Sequence, residues 1–397
     1  MSRSGERPSL VPFFCVAALY YLASNFVHPV TPTLIVERGL DSSLFGVALA
    51  AMLTTNFLFA PLWGRLCAYL PTRRILWICC WGYAAGQVLF AAAHSGAAVI
   101  AGRMFAGAFT GGVFTALYNY TVNVSGPDRR AGALAVLMTL QNACSAGGYL
   151  VGGVLGLASV ETAFGVQCAA LAAAGALAAV LCADDTPWKP RPGRPLALRD
   201  ADPFRALADA RGLLTPLLWL LLGGILLVSV GHHAYEQCFN FYLKDQYGLT
   251  SVWNGGIKAG VAVVTIALNG TLCVRLQTRT DPARSVPAVL LANVAVNALA
   301  LFCGVPAAFV ALYVLYSGIY ALALPLLQAL VVSRAAPGDS NAVMGVYQAT
   351  HSLGGIAGAA AAGLVYSLDP RLPFALSLLA WAAAVAVTRR ALRRPAN

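Results

Sequence analysis

Residues 183–211 read ADDTPWKPRPGRPLALRDADPFRALADAR. This is the one sizeable polar stretch in a chain of 397 residues that is 59% hydrophobic and only 10% charged. It is proline-rich, mixed in charge and too poor in apolar residues to form a core, so it reads as a linker. One short amphipathic helix is expected within it, near PFRALADA. What it separates decides the fold. Soluble domains carry about 25% charged residues, whereas an apolar helix needs about 20 residues to cross a bilayer. Breaks at charged or Gly/Pro-rich points give six spans before the linker, at 11–36, 44–64, 75–94, 97–121, 132–157 and 161–182. Six more follow it, at 212–243, 252–274, 286–304, 306–332, 341–367 and 371–388. The expected fold is an all-α integral membrane protein of twelve transmembrane helices in two pseudo-symmetric six-helix bundles. The bundles are 1–182 and 212–397, joined by the cytoplasmic linker 183–211.

The formal net charge of +11 raises the question of nucleic acid, and the placement of the charge answers it. Loops on one side of the membrane carry 21 of the 26 Lys and Arg residues, the other side only Arg38, Lys244 and Arg371. The positive-inside rule therefore puts both termini and the linker in the cytoplasm of a multi-pass cell-membrane protein. The basic residues face anionic lipid, and no nucleic-acid partner is expected. The ten cysteines all fall in apolar segments without metal spacing, and they read as small buried apolar groups. No metal or cofactor is expected. The opening MSRSGERPSLVPFF has basic residues before an apolar run too long for a signal peptide, and is taken as the first span. Asn119, Asn123 and Asn269 match glycosylation acceptors but lie in or near spans or on the cytoplasmic side.

The two halves repeat. A shift of 210 residues brings Arg65 and Leu66 onto Arg275 and Leu276, Arg74 onto Arg284, Pro127 onto Pro337, Gly148 onto Gly358 and Gly153 onto Gly363. A shift of 209 lays RGLDSSLFG on YGLTSVWNG and pairs Gly39, Leu40 and Gly46 with Gly248, Leu249 and Gly255. The matches keep their order and their loop positions. Two parallel six-span repeats suit alternating access, in which two bundles rock about a site between them.

Three local patterns then resemble the major facilitator superfamily, over essentially the whole chain. GRLCAYLPTRR after span 2 is similar to its signature loop, matching Gly64, Leu66 and Arg73, with Ala68 at the acidic position and Pro71 at the second glycine. In the family that acid latches the cytoplasmic side through charge pairs. RMFAG in span 4 resembles the family's R-x-x-x-G helix, with Arg103, Gly107 and Gly111. GGYLVGGVLG in span 5 looks like the antiporter motif, with Gly148, Gly152 and Gly153 in place and Tyr149 where the motif has proline. The resemblance points to the twelve-span drug/proton antiporter branch and implies a monomeric exporter. Independently of it, Gly148, Gly152 and Gly156 line one helix face, which is equally the signature of close helix packing.

Polar groups inside the spans mark candidate sites, because a charge at the centre of a membrane helix costs roughly 2.5–3.5 kcal/mol on insertion scales. Glu236 is the clearest, in SVGHHAYEQCFNFYLKD at 229–245. His232 lies one turn before it and Asn240 one turn after. His233 starts a neighbouring stripe, and Asn25 and His28 occupy the matching stretch of span 1. Glu236 faces a water-filled path and couples protons, or pairs structurally with Arg103 or a histidine. Arg103 reads as a structural or gating cation, while Lys258 is close enough to the outer surface to snorkel. Tyr118, Asn119, Gln141, Asn142, Gln348 and His351 are further lining candidates. Tyr313, Tyr316 and Tyr320 share one face of span 10, as a binding wall or as plain packing. No nucleotide loop or nucleophile motif occurs, so neither an ATP-driven pump nor an enzyme is expected. The reading is a secondary transporter for a small-molecule substrate, by proton-coupled efflux of amphipathic or cationic organic molecules. An importer or facilitator of a neutral metabolite, or a lipid translocator, is the alternative.

Overall fold

A computed structural model describes residues 7–126, 129–189, 202, 204, 214–334 and 340–393. The helix expected near 203–210 and most of the linker lie outside these residues. Among the described residues every regular element is helical. The helices are α1 (Val11–Ala23), α2 (Thr31–Glu37), α3 (Leu44–Tyr69), α4 (Thr72–Ala91), α5 (Gly96–Ser125), α6 (Arg130–Ala158) and α7 (Val160–Leu181). After the linker come α8 (Pro216–Asp245), α9 (Ser251–Leu268), α10 (Val274–Arg279), α11 (Pro282–Leu301), α12 (Pro306–Ser333), α13 (Ser340–Tyr366) and α14 (Leu372–Leu392). Ten are long and apolar enough to cross a membrane. The pair α1–α2 and the 27-residue α13 bring the transmembrane elements to twelve.

Span 1 is not the single helix expected over 11–36. It breaks between α1 and α2, where Pro29 has no N–H to give and disfavours a helical His28. The chain there runs on tight three-residue bonds, such as Phe26 N to Ala23 O at 3.1 Å and Val30 N to Val27 O at 3.2 Å. Exposed carbonyls in hydrocarbon are costly unless a neighbour answers them, and α7 supplies one. The Gln167 amide donates to Ala23 O at 3.0 Å and to Ser24 O at 3.2 Å, while its own carbonyl accepts from Gln87 at 2.6 Å.

The chain forms two compact units. One gathers Met1–Leu34, Thr54–Pro203 and Thr250–Gly256, the other Ile35–Leu53, Phe204–Leu249 and Ile257–Asn397. In the first, Gly148 and Gly152 of α6 lie flat against the broken span. A methyl at Gly148 would sit 2.9 Å from Asn25 Cβ, and one at Gly152 2.7 Å from Phe26 Cα. In the second, Gly354 and Gly358 of α13 meet α8 in the same way, with Ser229 Cβ at 2.7 Å and Val230 Cα at 2.8 Å from such methyls. These stripes are packing surfaces, where a missing side chain lets backbones touch. The repeat extends to backbone conformation: Gly39 and Gly248, matched by the 209-residue shift, take φ of 61° and 63°. Both close a helix in the left-handed region that glycine enters freely.

At the linker end of the first unit the signature loop is held from the linker side. The fully buried Asp185 accepts from Thr72 N at 2.8 Å, Thr72 Oγ1 at 2.5 Å and Asn123 Nδ2 at 2.9 Å. Lys189 pairs with it at 3.1 Å and donates to Cys67 O and Leu70 O, 2.7 and 2.5 Å away. Those carbonyls bracket Ala68, where the signature acid is missing. One carboxylate thus caps the start of α4 while its lysine caps the end of α3. Arg73 lies at the rim, 3.8 Å from Asp184, and donates to Cys182 O at 3.4 Å. Gly64 meets only ordinary contact, 3.6 Å from a built methyl to Thr115.

Candidate functional site

Glu236 has a partner, and it is neither Arg103 nor a histidine. Its Oε1 accepts from the Lys258 ammonium of α9, and its Oε2 from the Tyr313 hydroxyl of α12 at 2.7 Å. Lys258 also donates to the Tyr313 hydroxyl, and its ammonium lies 4.8 Å from the centre of that ring. The three groups form a closed triangle across α8, α9 and α12. The Lys258 side chain is 5% exposed and that of Glu236 22%. Lys258 therefore does not snorkel, which corrects the sequence reading. An ammonium that can reach a buried carboxylate within its own bundle gains more there than at the surface.

Around the triangle, α8 and α12 interlock through their rings. Tyr320 stacks on His232 at 3.4 Å, Tyr316 on Tyr235 at 4.2 Å and Tyr313 on Phe239 at 3.5 Å, with planes 6°, 13° and 11° apart. Tyr316 also lies near-parallel to His232 at 6.2 Å, Tyr313 to Tyr235 at 6.0 Å and Phe309 to Phe239 at 5.5 Å. The rings alternate between the two antiparallel helices as a ladder. The shared face of tyrosines in span 10 is this ladder, with Tyr313 and Tyr316 fully buried. Trp381 of α14 closes its back, donating to the Tyr316 hydroxyl at 3.1 Å.

The histidines divide. His232 belongs to the ladder, and its buried Nδ1 has no hydrogen-bond partner among the described residues. His233 turns the other way, with Nδ1 2.9 Å from Ser229 O. It lies 5.7 Å from the His351 ring, whose Nε2 is 3.3 Å from the Tyr320 hydroxyl. Asn240 is buried, and its Oδ1 finds no partner among the described residues. Gln348 is exposed.

The first unit holds its own polar set. Arg103 is buried, donates to Thr31 Oγ1 at 3.3 Å and lies over the Phe90 ring at 4.0 Å. A guanidinium stacked on an aromatic face and fixed beside the helix break suits a structural cation. Asn25 turns back on its own helix, donating to Tyr21 O at 2.8 Å, and the His28 ring stacks on Tyr149 at 5.6 Å. Tyr149 thus occupies the motif's proline position with a contact to span 1. The Tyr118 hydroxyl reaches Gln141 at 3.5 Å and Asn119 donates to Thr115 O at 2.8 Å. Asn142 is exposed. Gln87, Gln167 and Asp185 were missed in the sequence, although Gln87 and Gln167 are polar residues inside apolar spans and so carried the signal that marked Glu236.

Comparison with known proteins agrees with this architecture. The Major Facilitator Superfamily model matches residues 13–359. Among curated proteins, the chain is 26% identical over 353 residues to Major facilitator superfamily domain-containing protein 10 of Homo sapiens, covering 84% of this chain and 75% of that one. Among solved structures, a bacterial homologue of the human lysosomal transporter Spinster, inward-facing and unoccupied, superposes with a TM-score of 0.77 at 15% identity, over 97% of this chain and 96% of that one. The human organic anion transporter MFSD10 (TETRAN) superposes with a TM-score of 0.67 at 21% identity, over 97% and 98%. The chain is a multi-pass membrane transporter belonging to the major facilitator superfamily.

Proposed function

We propose that the protein is a proton-coupled secondary transporter of small amphipathic organic molecules, working as a monomer, with Glu236 as the residue that takes up and releases the proton. The observation that carries this reading is the triangle of Glu236, Lys258 and Tyr313. An acid inside a membrane bundle is tolerated when a partner or water meets it. Here it has a cation, and its side chain keeps 22% exposure. Protonation removes the charge that holds Lys258, so one proton rearranges contacts among three helices. That is the kind of local charge change that biases a two-state element.

Two senses of coupling are open to such a residue. Exchange, with efflux of the organic molecule, requires substrate and proton to compete for one site, and the glycine pattern of span 5 supports it. Co-movement requires them to bind together. A cationic substrate loses support, because Glu236 already has its cation. An anionic one gains it, from Lys258 and from the organic anions named for the human neighbour.

The test is proton flux in liposomes under an imposed pH gradient, against a panel of amphipathic organic ions. Wild type should dissipate the gradient when a substrate is present, and Glu236→Gln should not. Equal solute movement in both, indifferent to pH, would make Glu236 structural and the protein a facilitator.

A further inference from the structure

We propose that the linker end of the first unit carries a binding site for the phosphate group of an organic phosphate, built by Arg7 and Arg129 with the hydroxyls of Ser9 and Ser125. The site is separate from Glu236, Lys258 and Tyr313, all of which belong to the second compact unit. It does not depend on proton uptake there.

Its place follows from two helix ends. The last turn of α5 and the residues leading into α1 enclose a cavity of about 620 Å³, within the range of about 300–1000 Å³ that small-molecule sites occupy. The carbonyls at the end of a helix carry partial negative charge and would repel an anion. Arg7 covers them, its Nη1 donating to Asn123 O at 3.1 Å and to Val124 O at 3.3 Å. The guanidinium lies over Gly126, whose φ of 77° already favours glycine. A methyl built there would sit 3.0 Å from Nη1 and 3.1 Å from Cζ. An arginine has five N–H groups, three of them on Nη2 and Nε. Those of Arg7 have no partner among the described residues. Capping α5 thus uses one edge of Arg7 and leaves the other for a ligand.

The rest of the wall is that of an anion site. Arg129 brings a second guanidinium. Ser125 is 7% exposed, and its buried Oγ has no hydrogen-bond partner among the described residues. Such a group costs about 1–3 kcal/mol unless something answers it. Ser9 Oγ accepts from Val11 N at 3.3 Å and keeps its own proton to donate. Arg7, Ser9 and Arg129 are exposed, so the cavity opens to the outside. No described residue of its wall is acidic. Asp185, which the Asn123 amide reaches, is neutralised by Lys189, and Asp128 lies outside the described residues. Two guanidiniums and two hydroxyls about one space suit the several oxygens of a phosphate better than the two of a carboxylate. A bare phosphate would leave much of the cavity empty, since a water takes only about 30 Å³. The phosphate therefore arrives on an organic group. Span 1 begins beside the site at Val11, 65% exposed, where a phospholipid headgroup can enter. A soluble phosphate ester offers the same chemistry from the water.

The experiment is native mass spectrometry of the full-length protein in neutral detergent, titrated with phosphatidylglycerol and, separately, with sn-glycerol 3-phosphate. Diacylglycerol and glycerol, which lack the phosphate, are the controls. In wild type one molecule of at least one phosphate should bind about tenfold more tightly than its control. Arg7→Gln, Arg129→Gln should weaken that binding about tenfold, and Ser125→Ala about threefold. Arg389→Gln, Arg390→Gln removes the same charge from exposed positions of α14 and should change it less than about twofold. If the first double variant fails to fold, Arg129→Gln alone leaves the Arg7 cap intact and should still cost about threefold. Loss of phosphatidylglycerol alone in these variants assigns the site to a lipid headgroup, and loss of glycerol 3-phosphate to a soluble ester. Binding of neither phosphate, binding no tighter than the controls, indifference to Arg7 and Arg129, or an equal loss in the α14 variant overturns the inference. Arg7 is then a helix cap and Arg129 a topology charge.

Discussion

At the scale of single residues, the Glu236–Lys258 pair is an interaction whose halves are worth less apart than together. Removing one partner of a buried pair commonly costs about 3–5 kcal/mol, because the other charge is stranded, while replacing both can be neutral. Glu236 keeps an exposed edge, so Lys258→Met is expected near the lower end, about 2–3 kcal/mol, with Glu236→Gln, Lys258→Met restoring most of it. Thermal unfolding of purified variants measures the cycle, and additive losses would mean the pair is not coupled. Glu236 was legible in the sequence because an acid inside an apolar run is costly and demands a partner or water. Lys258 was not. A lysine seven residues into a helix can reach the surface as easily as a partner, and only the register of α8 against α9 decides which it does. That register is a tertiary quantity with no imprint on local pattern.

The helix ends and breaks are where elements are decided. Asp185 caps α4 through two hydrogen bonds from Thr72 and takes a third from Asn123 of α5 while fully buried, so Asp185→Asn should cost about 2–4 kcal/mol, leaving Lys189 without its counter-charge. Its neighbour behaves differently. Burial pushes the Asp184 carboxyl up, but the Thr186 hydrogen bonds and Arg73 outweigh it and leave it below its ordinary value of 3.8. The stabilisation is present above that value and fades as pH falls through the lower folded one. Both side chains of the Arg73–Asp184 pair are a third or more exposed, so Asp184→Asn should cost under about 0.5 kcal/mol. Unfolding of the two variants side by side checks the contrast. A second expectation concerns α6. Gly152→Leu has no room against Phe26, and should lower the unfolding temperature sharply, where the same change at Gly165, with nothing near its built methyl, should be tolerated. The span count was readable from hydropathy. The break in span 1 was announced by Pro29, but its tolerability depended on Gln167, which lies 138 residues away in sequence and enters no local pattern.

For the whole molecule, the repeat seen as scattered matches reappears as matched backbone crossings. Gly46 lies against Gly363 in one compact unit, with Gly363 Cα 2.6 Å from a methyl built on Gly46. Gly255 lies against Gly153 in the other, at 3.3 Å on the same measure. The shifts of 209 and 210 carry the first pair onto the second, with partners exchanged. Gly46→Leu and Gly255→Leu should therefore impair transport to a similar degree, and a tenfold difference in uptake rate would break the equivalence. The distribution of Lys and Arg predicts a cytoplasmic C-terminus: a fluorescent protein fused there should be shielded from external quencher in intact cells, and quenching would reverse the predicted orientation. By contact, residues 35–53 group with the second compact unit and residues 250–256 with the first, an exchange of segments that no local sequence pattern announces.

The ring ladder between α8 and α12 has a mechanical consequence. Interleaved rungs forbid gradual sliding, since any small axial shift drives each ring into the next. The smallest permitted slip is a whole helical turn, about 5.4 Å, and it would unstack every rung at once. The two helices are geared. Any motion of α8 relative to the rest of its bundle must carry the Tyr313 hydroxyl of α12 with it, so compliance belongs to seams that have no teeth.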